Sequence, residues 1–315
     1  MTNRLTIKDI ARLSGVGKST VSRVLNGEQG VSEKTRERVE AVIHQQRFTP
    51  SRSARAMREK SDRVVGIIVS RLDSPAENRA VRAMLPLFYQ QGFDPIVMES
   101  QFDPALVQGH LHMLAQRYVD GVILFGFNGL TEKMLSAWQE KMVVMVRSYA
   151  GFSSVCYDDE GAVNLLLDKL YQLGHRHISY LGVTQSDETT GACRYQAYLA
   201  GCRRLQLSPC SELGELTYQY GFERVASVLT PETTALICAS DSIALGANKF
   251  LQQQQLDHVQ VGAIGNTQLA GFLFPKTLSV EFGYVEAGLQ AARQLLAQLN
   301  EAADRRNFII SCKLL

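Results

Sequence analysis

Three arginines of this 315-residue chain, Arg71, Arg147 and Arg194, stand just beyond runs that read as β-strands or at the start of a following helix. A guanidinium stays charged and offers a planar fork of N–H donors, which suits it to a phosphate or carboxylate. Beside them in the same reading lie Asp73, Ser74 and Glu77 after the first strand, and Gly126 and Phe127 after the third. Asp187, Glu188, Thr189 and Thr190 follow the fifth, Asp241 and Ser242 end a later one, and Tyr284 sits at a crossover. Such carboxylates and hydroxyls bond the hydroxyls of a polyol. Singly, each arginine also fits a solvated surface charge. Three at strand ends of one cleft fit an anion, and with their polar neighbours they fit a phosphorylated sugar.

A second set lies in Thr6–Gly27, TIKDIARLSGVGKSTVSRVLNG, which reads as two short helices joined by a tight turn at Gly15. Thr6 and Asp9 have the spacing of a helix-start capping pair. Ile7, Ile10, Ala11 and Val16 supply an apolar side. In the second helix Val21, Val24 and Leu25 fall on one face, and Lys18, Ser19, Ser22 and Arg23 on the other. A helix apolar behind and hydrogen-bonding in front is what a DNA major groove admits. Helix pairs of this length also occur in proteins that never meet DNA, and the charge distribution decides between the two. Residues 1–60 hold 13 Lys/Arg against 6 Asp/Glu, a net +7; the rest hold 20 against 25, a net −5. A basic head on a mildly acidic body is expected to bind a polyanion.

These groups need elements to position them. A third helix from Ser32, with Val39, Val42 and Ile43 facing the first two and Phe48 as a plug, completes a small domain over residues 1–48. Residues 49–61, TPSRSARAMREK and the next residue, hold Arg52, Arg55 and Arg58 around Met57, about two turns of helix that would be unstable alone. A solvated linker is the plain reading; a segment that folds only on DNA, with an apolar wedge in the minor groove, is the functional one. From residue 62 buried strands alternate with amphipathic helices: Val64–Val69, Pro95–Met98, Gly121–Phe125, Val143–Val146, Ile178–Leu181, Ala235–Cys238 and Gln260–Ile264 are the strands. That alternation means parallel sheets with helices on both faces, and so many strands mean two lobes. Ligands of such sheets bind beyond the carboxyl ends of the strands, between the lobes.

The chain resembles the lac/galactose repressor family. The resemblance runs through T-I-K-D-I-A, G-V-G-K-S-T-V-S-R-V-L-N and P-S-R-S-A-R-A-M in residues 1–60, then G-H-R-H-I-S-Y-L-G at Gly174–Gly182, D-S-I-A-L-G-A at Asp241–Ala247 and V-G-A-I-G-N at Val261–Asn266. It implies an all-α helix-turn-helix headpiece joined by a hinge to a two-lobed α/β core of the periplasmic-binding-protein type, residues 62–315. Lobe one would take about 62–157 and 285–305, lobe two about 158–283 and 308–315. It also implies that Lys18, Ser19 and Ser22 face base edges, with Thr6, Thr20, Arg23, Asn26 and Ser51 as further DNA contacts. Arg55 and Met57 would occupy the minor groove. Arg147 stands where sugar-binding members usually carry Asp. S-R-L-D-S at Ser70–Ser74, G-F-x-S-V-C-Y-D-D-E-G at Gly151–Gly161 and S-D-x-T-T-G at Ser186–Gly191 resemble one branch of the family, which implies trehalose 6-phosphate as effector. Its contacts would be Arg71, Leu72, Asp73, Ser74, Glu77, Gly126, Arg147, Asp187, Glu188, Thr189, Thr190, Arg194, Ser242 and Tyr284, with no cofactor and no metal. The partners implied are a near-palindromic operator and a second copy of the chain.

Other readings fare worse. No apolar run approaches the ~20 residues of a membrane span, and the N-terminus lacks a signal-peptide core, so a cytoplasmic protein is expected. Cys156, Cys193, Cys202, Cys210, Cys238 and Cys312 form no C-x-x-C pair and read as free thiols. His110 and His112 point to different helix faces. An enzyme of phosphosugar metabolism lacks a nucleophile–base pair in the cleft. A regulator whose ligand strengthens DNA binding differs only in the sign of the ligand's effect.

Overall fold

The structure, a computed structural model, describes residues 6–25, 30–46, 63–301 and 303–315 and divides into two compact units, residues 1–63 and 64–315. In the first unit α1 (Ile7–Ser14), α2 (Lys18–Leu25) and α3 (Glu33–Gln45) close on Ile10, Ala11, Val21, Val24 and Val39. The Asp9 carboxylate accepts from the Thr6 amide at 2.9 Å and its hydroxyl at 2.7 Å, fixing the start of α1. Gly15 stops that helix at φ +65°, a left-handed conformation that a Cβ would penalise. Phe48 and the segment 49–61 lie outside the described residues.

The second unit holds two sheets. Strands β1 (Arg63–Val69), β2 (Phe93–Glu99), β3 (Gly121–Phe125), β4 (Met142–Met145), β5 (Ser153–Tyr157) and β11 (Asn307–Ile310) lie in the order β11-β5-β4-β3-β1-β2. Strands β6 (Ile178–Val183), β7 (Cys210–Gly214), β8 (Ala235–Cys238), β9 (Gln260–Ile264), β10 (Leu278–Glu281) and β12 (Lys313–Leu314) lie in the order β12-β10-β9-β8-β6-β7. Helices α4 (Pro75–Gln90), α5 (Pro104–Gln116), α6 (Asp159–Gln172), α7 (Arg194–Leu205), α8 (Tyr218–Arg224), α9 (Asp241–Gln253), α10 (Gln268–Leu273) and α11 (Tyr284–Glu301) connect them. β3 and β4 are buried throughout, which is why they read as unbroken apolar runs rather than alternating ones. Strands β5, β7 and β10 lack such runs; β7, an edge strand half-buried along its length, carries Ser211 and Glu212.

The last crossing corrects an expectation. Residues 308–310 belong to the first lobe, not the second: Phe308, Ile309 and Ile310 pair in parallel with Val155, Cys156 and Tyr157, and Phe308 and Ile310 pack on the first lobe's core. Only Lys313 and Leu314 join the second sheet, antiparallel to Glu281 and Val280. α11 lies on the first lobe, where Ala287, Ala291, Ala292 and Leu295 are buried. A Cβ on Gly288 would come within 2.3 Å of the Ala80 carbonyl, so glycine there lets α11 approach α4.

In each sheet the strand order reverses at one point, between β1 and β3 and between β6 and β8. Loops leaving the carboxyl ends there diverge, which opens a crevice.

Candidate functional site

On α2, Lys18, Ser19 and Arg23 are exposed, Thr20 is half-buried and Ser22 is buried, 4% exposed. The expectation that Ser22 shares the outer face is therefore corrected. At about 100° per residue Ser22 lies about 60° from Leu25, on the flank of the apolar stripe. Thr6 is exposed beside α1, and its hydroxyl is held by Asp9. Asn26, Ser51, Arg55 and Met57 lie outside the described residues. What remains is a small cationic, donor-bearing face of Lys18, Ser19 and Arg23 on a helix whose other side is core.

The crevice of the second unit has a volume of about 1490 Å³. Arg71, Ser74, Glu77, Gly126, Arg147, Asp187, Thr189, Thr190, Arg194, Ser242 and Tyr284 line it, as expected from their positions at strand ends. Leu72 and Asp73 do not. A tight turn, closed by the Ser74 amide on the Arg71 carbonyl at 3.3 Å, throws both outward. The Leu72 amide donates to Glu99 at 2.7 Å, and the Asp73 side chain is 82% exposed. Glu188 also stands outside the lining and reaches Arg147 from the rim.

Each arginine already has an acid. Arg71 lies 3.4 Å from Asp73, and Arg147 donates to Glu188 and to the Asn128 side-chain oxygen; both carboxylates are exposed. Arg194 differs. Its Nε donates to Asp159 at 2.6 Å, a further N–H donates to the Ala239 carbonyl, and its guanidinium lies 4.4 Å from the Phe282 ring centroid. Burial pushes the Asp159 carboxyl above its ordinary value, against the pull of Arg194. Arg194 therefore lines the crevice with its charge paired and buried. Arg71 and Arg147 are instead paired with carboxylates that are 82% and 61% exposed.

The backbone aims Arg147. Val146 before it has φ +75°, a region that β-branched residues rarely adopt, and its amide donates to the Val155 carbonyl at 2.9 Å. Acceptors line the same crevice. Glu77, in the first turn of α4, takes the Ser70 amide at 2.8 Å and the Ser70 hydroxyl; burial pushes its carboxyl up, against those bonds. Asp241 accepts from the Thr267 amide through Oδ2, while its buried Oδ1 has no partner among the described residues. Burial raises that carboxyl too. A buried acceptor without a donor is costly unless a ligand supplies one. Thr189 and Thr190 lie on a π-helical turn, Glu188–Cys193, that begins where the Asp187 carboxylate accepts the Thr189 amide at 2.9 Å. π-Turns of this kind recur at functional sites.

Among the lining residues that the sequence reading did not single out are Asn128, Asp159 and Arg79. Arg79, on the second turn of α4, crosses to the other lobe and donates to the Gly265 and Asn266 carbonyls at 2.9 and 3.0 Å and to Glu281 at 3.0 Å. Nothing local marks it; an arginine at that point of an amphipathic helix reads as solvated.

Comparison with known proteins bears on the whole arrangement. Residues 6–51 match the lacI family of bacterial regulatory proteins, and residues 167–315 match the periplasmic binding protein-like domain. Over 314 residues, covering all of both chains, the sequence is 60% identical to the HTH-type transcriptional regulator TreR of Escherichia coli. The chain belongs to the lacI family. This lacI-family regulator is similar in structure to the trehalose repressor from Escherichia coli, with a TM-score of 0.80 and 55% identity over 81% of this chain and 100% of that one. It also shares its fold with the lac repressor dimer bound to operator and the anti-inducer ONPF, with a TM-score of 0.79 and 23% identity over 99% and 98% of the two chains. As a lacI-family member it is a transcriptional regulator rather than an enzyme; α2 lies within the residues that match the lacI family, and the second lobe's wall of the crevice within those that match the periplasmic binding protein-like domain.

Proposed function

We propose that this regulator represses genes for trehalose uptake and utilisation and leaves its operator when trehalose 6-phosphate enters the crevice. The observation that carries the reading is the meeting, in one crevice, of two guanidiniums paired with exposed acids, Arg71 and Arg147, and a buried carboxylate oxygen on Asp241 with no partner among the described residues. One end of the ligand is an anion and the rest a polyol. The similarity to the trehalose repressor from Escherichia coli supports the sugar part of that choice.

Two copies would bind a near-palindromic operator, two-fold symmetry of protein matching that of DNA, as the lac repressor dimer does. Lys18 and Ser19 would read base edges, Arg23 would hold backbone or base, and Arg55 and Met57 would enter the minor groove. The protein would act in the cytoplasm. Ligand drawn between the lobes shifts the first lobe, and residues 49–61 carry the shift to the heads. The effect on DNA binding equals the difference in ligand affinity between free and operator-bound protein.

The test is a titration of trehalose 6-phosphate into the operator complex, followed by fluorescence anisotropy. Release at ligand concentrations that leave non-cognate DNA binding unchanged is expected. Arg147→Ala should bind operator normally and ignore the ligand. Unchanged operator affinity in the parent refutes the effector, and tighter operator binding means that the ligand is a corepressor.

A further inference from the structure

We propose that Glu188 is a resident anion for the phosphate subsite, a carboxylate that occupies Arg147 until a dianionic phosphate displaces it. The proposal rests on the phosphosugar reading of the crevice and deepens it. Arg147 comes from the end of β4 in the first lobe, and Glu188 from the π-turn of the second. The Arg147 side chain is 19% exposed and lines the crevice, while that of Glu188 is 61% exposed and reaches in from the rim. One guanidinium nitrogen holds the Asn128 side-chain oxygen, and the other holds Glu188. One of the two terminal nitrogens that could face a phosphate is therefore taken by a carboxylate.

The geometry makes that carboxylate replaceable. The Asp187 side chain accepts the Thr189 amide at 2.9 Å and the Gly191 amide at 3.4 Å, which pins the backbone beneath Glu188. A Cβ on Gly191 would meet the Thr184 carbonyl at 2.1 Å, so glycine there lets the turn pack closely against Thr184. The Glu188 side chain extends from this base into solvent, and an ion pair made by so exposed a carboxylate contributes little. A monoanion can be displaced there by a phosphate monoester, which carries nearly two charges and three acceptor oxygens. A neutral sugar offers nothing to displace it with. Glu188 thus raises the threshold for every anion at Arg147 and sets phosphosugars apart from unphosphorylated sugars and singly charged acids.

The experiment is calorimetric titration of the full chain and of E188Q, E188A, R147A and E188Q/R147A with inorganic phosphate and with trehalose 6-phosphate. Removing the resident charge should tighten both ligands about 1.4- to fivefold, the range of an exposed ion pair. Trehalose itself should gain nothing. In the R147A background E188Q should have no effect. If E188Q and E188A bind phosphate no better than the parent, or bind the phosphosugar more weakly, the resident-anion role is overturned and Glu188 is a ligand contact or a clasp between lobes. If the parent ignores trehalose 6-phosphate, the effector reading fails, and the inorganic phosphate arm alone still decides the role of Glu188.

Discussion

Arg194 and Asp159 form a single buried unit: Nε of the arginine lies 2.6 Å from a carboxylate oxygen of the aspartate, with the two side chains 5% and 12% exposed. The pair stands in the crevice wall with its charge cancelled, unlike the pairs of Arg71 and Arg147 with exposed acids.

Breaking the pair should unfold the core more readily rather than tune the effector response. R194M or D159L alone strands a buried charge and should cost about 3–5 kcal/mol. The double variant R194M/D159L should recover most of that, measured as Tm by calorimetry. Single variants with the parent's Tm would mean that water reaches the pair and that Arg194 is open to ligand.

Val146 inverts a usual order. Its φ of +75° strains a β-branched residue, so V146G should relieve strain while losing packing, leaving stability within about 1 kcal/mol of the parent. V146A keeps the strain and loses packing, and should be the less stable of the two. Because Arg147 is aimed by this residue, V146G should also weaken phosphosugar binding. Denaturant melts of the three proteins settle the order, and alanine above glycine would show that the conformation is unstrained.

Glu77 gives the pH dependence a sign. Burial raises its carboxyl above the ordinary 4.5, against hydrogen bonds from Ser70 and Arg71. The folded chain then holds this proton more tightly than the unfolded chain, so the fold loses stability as pH rises from 4.5 through the raised value. Acidification from pH 7 restores it. E77Q lacks this titration, so the parent should gain Tm relative to E77Q between pH 7 and pH 4.5. Parallel melting curves across that window would show that the carboxyl is fully solvated.

The DNA-binding face separates Lys18 from Ser22. K18A should relax operator preference at one base step, at a cost of about 1–3 kcal/mol for the cognate sequence. Ser22 is buried, so S22A should change the melting of the headpiece and leave base preference alone. Anisotropy against a panel of single-base operator variants distinguishes them, and a base-specific loss in S22A would place its hydroxyl at the DNA.

Much of this protein is written locally. Continuous apolar runs announce β1, β3, β4, β8 and β9 because strands covered on both faces need apolar residues at every position. Thr6, Asp9 and Gly15 bound α1 through bonds that span a few residues. Once the strands are placed, the rule that ligands sit beyond their carboxyl ends yields Arg71, Gly126, Arg147, Asp187 and Ser242 directly. The allegiance of each charge is not local. Arg194 meets Asp159 across 35 residues, Arg147 meets Glu188 across 41, and Arg79 meets Glu281 across 202. One tight turn decides that Asp73 faces water while Ser74 faces the crevice, and the pairing of β11 with β5 decides which lobe holds Phe308. Periodicity encodes which side of an element is apolar; which charges then share a low-dielectric wall depends on how separate elements cross, and only the packed tertiary structure fixes that.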